Sequence, residues 1–173
     1  EEGRGTAWSV GPSRGPGSTL RQLDGVAVAS ANEVCAVGYY DGATAIQTLV
    51  EHWNGTAGSV VPSPTPDPGA TANKIYSVAV ASANDVWAVG NVGLYNGGGG
   101  AAHLLVERWN GTVWSVVPAV DLSLADNEFY GVTVARDNDG WAVGTWLDGT
   151  RGKCYPEPLV EQRSGRAWAE ITD

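Results

Sequence analysis

Histidine and cysteine, the side chains most often used as bases, nucleophiles or metal ligands near neutral pH, are few in this chain. There are two histidines, His52 and His103, two cysteines, Cys35 and Cys154, and a glutamate that recurs in one local context as Glu51, Glu107 and Glu161. A metal needs ligands converging from neighbouring elements and oriented by further partners. The histidines fall in different repeats with no carboxylates at matching short spacing, so they read as solvent-facing strand positions, and no metal or cofactor is expected. The cysteines carry no Cys-x-x-Cys spacing. Cys35 stands where two other repeats have Trp87 and Trp141 and reads as a buried thiol, a small apolar filler. Cys154 lies in the polar stretch Arg151 to Pro156, a setting that allows a free or an intermolecular thiol. One carboxylate per repeat suggests a repeated structural task, bonding a backbone amide or an arginine such as Arg108, rather than three catalytic acids. The chain therefore reads as non-enzymatic, with no catalytic residues.

The elements that position these groups come from a stretch the chain states three times. Val78 to Gly90 recurs as Val26 to Gly38 and, more loosely, as Val132 to Gly144. The offsets, 78 − 26 = 52 and 132 − 78 = 54, fall in the range of stacked or radially arranged units. Within each copy the pattern has period two, which marks strands. Val78 and Val80 alternate with Ala79 and Ala81, Ser82 to Asp85 supplies a turn, and Val86 to Gly90 is a second strand. A third strand follows at Leu49 to Trp53, Leu105 to Trp109 and Leu159 to Arg163. Asn54-Gly55 and Asn110-Gly111 then predict two-residue hairpin turns into a fourth strand, Thr112 to Val117 in the second repeat and Arg166 to Ile171 in the third. Each repeat is read as a four-stranded antiparallel meander. Pro62 to Pro68, with prolines at alternate positions, is an extended crossing between repeats.

Composition fits this. Twenty-four glycines and nine prolines punctuate short strands, and with eight Trp, one Phe and no Met, aromatic packing falls to tryptophan. The fold class is all-β. A net charge of −9 gives no counterion-release drive toward a phosphate backbone, so nucleic acid is not an expected partner. No apolar run approaches the ~20 residues of a membrane-spanning helix. The chain begins at Glu1 without Met or a signal-like segment, which suggests a processed or excerpted form of something longer. Asn54-Gly-Thr56 and Asn110-Gly-Thr112 fit the N-glycosylation pattern for a secreted or cell-surface glycoprotein, although Asn-Gly is also what such a turn requires.

The strand order, the second strand Asp85 to Gly90 and the turn from Trp109 to Trp114 resemble β-propeller blades. Asn110 to Trp114 is similar to the Asp-box turn of sialidase-like propellers, and Asp85 to Gly90 also resembles the blades of kelch-like and photosystem-assembly-type propellers. The Asp-box pattern is broken at its first turn Asp, which is Trp109 or Asn110 here. The resemblance implies blades at about 20–62, 74–118 and 128–172 in a single partial propeller domain over 1–173. An orphan outer strand at 5–10 would have no partner within the chain. Three blades are fewer than the four or more that close around a channel, so an incomplete ring is expected. It would be completed by a homo-oligomer, a filament or the remainder of a larger propeller. A sialidase-like site would need an arginine cluster, a Tyr nucleophile and an acid, for which Arg21, Arg136, Tyr76, Tyr130 and Asp24 are scattered material.

Binding on such a scaffold is expected in the variable loops between second and third strands, at Tyr39 to Ile46, Asn91 to Leu104 and Thr145 to Pro158. Their aromatics Tyr39, Tyr40, Tyr95, Trp146 and Tyr155 are candidates to stack on sugar rings or anchor a protein partner. The function expected is recognition, adhesion or self-assembly outside the cell, the alternatives being a carbohydrate-binding lectin-like module or a fragment of a sialidase-like enzyme.

Overall fold

The alternation of branched and small side chains produces extended strands, and in the computed structural model every regular element among the described residues is a strand. The structure describes residues 2–4, 7–9, 16, 19–67, 69–94, 101–135, 139–148, 155–165 and 167–171. Tyr95, Arg136 and Cys154 lie outside the described residues. A short antiparallel hairpin comes first, β1 (Glu2–Arg4) with β2 (Ala7–Ser9). Then come three antiparallel meanders of four strands each. The first comprises β3 (Arg21–Ser30), β4 (Glu33–Asp41), β5 (Ile46–Trp53) and β6 (Gly58–Val60). The second comprises β7 (Ala72–Ser82), β8 (Asp85–Gly93), β9 (Ala102–Trp109) and β10 (Trp114–Val116). The third comprises β11 (Asn127–Val134), β12 (Asp139–Asp148), β13 (Tyr155–Ser164) and β14 (Ala167–Glu170). A single parallel bridge, Ile46 to Ala72, joins the first two into one sheet. The first strands β3, β7 and β11 are neighbours, with β7 in the middle.

Two sequence expectations change at this level. Ala7–Ser9 is not an orphan, because β1 pairs with it in the register Glu2 to Ser9 and Arg4 to Ala7. The Asn-Gly turns are not two-residue hairpins either. Trp53 pairs with Gly58 and Trp109 with Trp114, leaving four-residue loops. The reason is the asparagine side chain. Asn110 Oδ1 accepts from the amides of Thr112 and Val113, both at 2.9 Å, and Asn54 Oδ1 does the same for Thr56 and Ala57. A side-chain carbonyl thus replaces the backbone acceptor of a tighter turn. Only the glycine needs the left-handed region, at φ +87° for Gly55 and +94° for Gly111.

The glycine that closes each repeated stretch has a different cause. In all three meanders the first strand carries a bulge, between Leu23 and Gly25, Ile75 and Ser77, and Phe129 and Gly131. It drives a carbonyl toward the second strand. A Cβ on Gly90 would lie 2.0 Å from the Lys74 carbonyl oxygen, with the same clash at Gly38 and Gly144, so only glycine fits.

Packing occurs in two seams. Between the first and second meanders lie Cys35, Val37, Val50, Val78, Val86 and Leu105. Between the second and third lie Trp87, Val89, Val106, Phe129, Leu159 and Trp168. Successive residues of β8 therefore serve opposite seams, Val86 and Ala88 one and Trp87 and Val89 the other, as strand alternation requires. The crossings are held by side chains. Buried Asn127 accepts from the Leu122 and Ser123 amides and donates to the Ser123 and Ala125 carbonyls, fixing the segment ahead of β11.

Candidate functional site

The two seams use one set of positions with different residues. At the second seam, Trp87 on β8 is fully buried and donates its indole N–H to Asp85 Oδ1 at 2.9 Å. Arg108, its cross-strand partner on β9, donates to the same oxygen at 2.7 Å. The third meander closes over the ring. The Arg163 guanidinium lies 4.1 Å from its centroid, and Trp168 meets it edge-on at 5.7 Å. Burial pulls the Arg163 guanidinium below the usual arginine value and Arg108 adds to this, while Asp85, 3.9 Å away, opposes it.

At the first seam each position has a counterpart, but the indole is missing. Glu33 takes the place of Asp85, Cys35 of Trp87 and His52 of Arg108, and the second meander supplies Trp109 and Trp114 where the third supplies Arg163 and Trp168. His52 Nε2 lies 2.9 Å from Glu33 Oε2, a pairing the sequence did not suggest, with both side chains still partly exposed to solvent. Cys35 is buried, as a small apolar group would be, and burial pushes its thiol up to about 12. It does not fill the space. A cavity of about 280 Å³ opens over it, bounded by Val50, Val61, Val80, Trp109 and Trp114, with Glu33 and His52 also on its lining.

The recurrent glutamates diverge. Glu107 and Glu161 are fully buried, and burial raises each carboxyl from 4.5 to about 7. Glu107 accepts from the Ser63 hydroxyl on the crossing from the first meander, which partly opposes the rise. For Glu161 the nearby charges of Asp121 and Glu170 add to the effect and the Val120 backbone amide opposes it. The corresponding crossing position there is Ala119, which has no hydroxyl to offer. Glu51 is only half-buried. The expected partners were an amide or an arginine, and the one found for Glu107 is a serine on a neighbouring crossing.

Of the expected loop aromatics, the four described lie on strands, because the second and third strands run further than the repeat suggests. Tyr39 and Tyr40 are on β4, Trp146 on β12 and Tyr155 on β13. Tyr40 donates to Gln47 Oε1 at 2.5 Å across the β4–β5 pair. Tyr39 joins a row the sequence did not predict. It meets Tyr76 edge-on at 6.4 Å, and Tyr76 lies 5.8 Å from Tyr130, which donates to Glu128. Tyr76 and Tyr130 are the bulge residues of their first strands, which turns them out of the pleat toward one another, and Lys74 lies 5.0 Å over Tyr39. Burial raises the Tyr39 and Tyr130 phenols, with nearby acids adding.

His103 pairs with Asp121 at 2.6 Å, remote from His52 in sequence and seam. Among the described residues no three His, Cys, Asp or Glu side chains cluster in a way that could hold a metal ion. No helix among them is long and apolar enough to cross a membrane. Asn54 and Asn110 are exposed, with their side-chain oxygens engaged in the turns. Comparison with protein-family models and with curated proteins finds no match to the chain.

Proposed function

We propose that the three meanders are blades of a propeller-type scaffold whose work is assembly. In this reading copies join head to tail, the outer face of the third meander against the outer face of the first. The observation that carries this is the fate of equivalent residues. Trp87, Val89 and Val106 in the second meander are fully buried, whereas their counterparts Trp141, Val143 and Val160 in the third are 38%, 48% and 37% exposed. On the opposite face, Val78 is 7% exposed and its counterpart Val26 is 67% exposed, with Val28 at 65% beside it. Each outer face thus repeats one half of a seam that already forms twice within the chain, so the surface that fits one is the other. Burying a valine side chain stabilises by about 1.5–3 kcal/mol, so several such residues on each face supply a drive to associate. Such a contact is heterologous and makes a ring if the rotation closes, a filament if it does not. Two copies would bring six meanders together, a number propellers use.

The scaffold is non-catalytic in this reading, and the exposed Asn54 and Asn110 sequons fit an extracellular setting. The Tyr39, Tyr76 and Tyr130 row favours carbohydrate recognition as a second activity, since adjacent phenol rings flanked by Lys74 and Glu128 offer stacking faces with polar groups beside them.

The test uses Val26→Glu and Val143→Glu, both at exposed positions that leave the internal seams intact. Each variant retains one working face. Alone, each is expected to remain a single chain in sedimentation. Mixed in equal amounts, they are expected to form a two-copy assembly that grows no further. Variants that associate as the parent does, or a mixture that stays monomeric, would refute the head-to-tail contact.

A further inference from the structure

The cavity at the first seam lies over Cys35, at the repeat position where the second seam holds a ring. Its counterpart at the second seam holds the Trp87 indole between Arg163 and Trp168, with the ring N–H on a carboxylate. At the first seam the enclosing groups remain: a carboxylate at Glu33, the side chain of His52 beside it, and two indoles at Trp109 and Trp114 whose centroids are 6.0 Å apart. The floor is the Cys35 thiol, neutral and apolar at physiological pH. The neighbours have not collapsed into the space, and about 280 Å³ is left. An apolar cavity of about 150 Å³ already accepts benzene, so this one has room for a fused bicyclic ring.

We propose that the pocket formed by Cys35, Val50, Val80, Trp109 and Trp114 binds a planar aromatic ligand of indole type, its ring over Cys35 and its N–H donated to Glu33. The ring stands where the side chain of Trp87 stands one seam further on. An aromatic donor is selected twice over. The cavity lining is largely apolar and aromatic, which favours a flat hydrophobic ring, and the carboxylate at its edge favours a ring bearing a hydrogen-bond donor. The ring belongs either to a free small molecule or to a tryptophan side chain presented by a peptide.

Binding is measured with indole itself, by calorimetry and by shift of the unfolding midpoint. The chain used carries Val26→Glu, so that association through the outer faces does not enter the result. One indole per chain is expected, together with a raised midpoint. 1-Methylindole, which lacks the donor, is expected to bind about tenfold more weakly, the loss of one hydrogen bond to a charged acceptor. Glu33→Ala is expected to bind the two equally. Cys35→Trp places the repeat's own indole in the pocket and is expected to abolish indole binding while raising the midpoint. The tripeptide Gly-Trp-Gly forms the second arm: binding comparable to indole assigns the site to a partner's side chain, and binding of indole alone assigns it to a free aromatic. Failure of indole to bind up to its solubility limit, or equal binding to the Cys35→Trp chain, would overturn the proposal. Equal affinity for 1-methylindole in the unmodified pocket would overturn the role of Glu33. The comparison of ligands needs no core substitution, so it stands even if Cys35→Trp does not fold.

Discussion

Replacing Glu107 by glutamine tests the electrostatics of the seam between the first two meanders. The carboxyl is fully buried, and its pKa is raised from 4.5 to about 7, chiefly by loss of solvent. In the folded chain it therefore holds its proton over a pH range where the unfolded chain has released it. The stability associated with this group is fully present below pH 4.5, declines as pH rises, and is lost above about pH 7. A shift of about 2.5 units at 1.36 kcal/mol per unit amounts to roughly 3 kcal/mol. Glu107→Gln keeps an oxygen for the Ser63 hydroxyl and removes the titration. At pH 8 it is expected to be more stable than the parent by up to about 3 kcal/mol, and at pH 4.5 to match it within about 1 kcal/mol. Urea unfolding followed by tryptophan fluorescence at the two pH values reads both numbers. Glu161 titrates in the same direction, so the single variant retains part of the slope and Glu107→Gln with Glu161→Gln flattens it further. A variant as pH-dependent as the parent, or less stable than it at pH 8, would refute the reasoning.

Other consequences are more local. In a Cys154→Ser background, Cys35, with its thiol pushed up to about 12 from 9.0, is expected to alkylate about a thousandfold more slowly in the folded chain at pH 8 than in urea. Equal rates by mass spectrometry would contradict its burial. Trp87→Ala removes the indole that Arg163 and Trp168 enclose and is expected to cost about 3–5 kcal/mol in urea unfolding. A loss below about 1 kcal/mol would mean that the second seam repacks without it. Gly90→Ala sets a methyl 2.0 Å from the Lys74 carbonyl and is expected to abolish cooperative unfolding, which a near-native circular dichroism melt would contradict.

The strand content and the three meanders were legible because they rest on local rules. Period-two alternation in Val78 to Val80 and the turn residues Ser82 to Asp85 act over a few residues, and the repeat confirms each reading twice. The closing glycines were visible as a pattern, but their cause was not, because the bulges at Leu23/Gly25, Ile75/Ser77 and Phe129/Gly131 follow from pairing register rather than composition. Loop boundaries failed for a related reason. Strands β4, β8 and β12 continue past the repeated stretch with no alternation to announce them, which puts Tyr39, Tyr40 and Trp146 on strands where the pattern suggests loops. The partner of Ala7–Ser9 is not legible in the sequence, because Glu2–Arg4 carries no strand signal of its own. The sequence did show Cys35 standing in a tryptophan position. Whether Val50, Val61 and Val80 would close over the smaller side chain depends on packing between meanders, which no local pattern encodes. The Asp85, Arg108 and Arg163 cluster was within reach, since Arg163 occupies the position of Trp53 and Trp109 in the other repeats. A charge replacing an aromatic in a repeated seam position is a signal that its neighbours differ.

Association through the outer faces is the central claim, and the mass of the unmodified chain in solution tests it most directly. Native mass spectrometry alongside sedimentation velocity is expected to find multiples of the 18.0 kDa chain, with the fraction assembled rising with concentration. A single chain persisting to the limit of solubility, with Trp141, Val143 and Val26 still open to solvent, would contradict it.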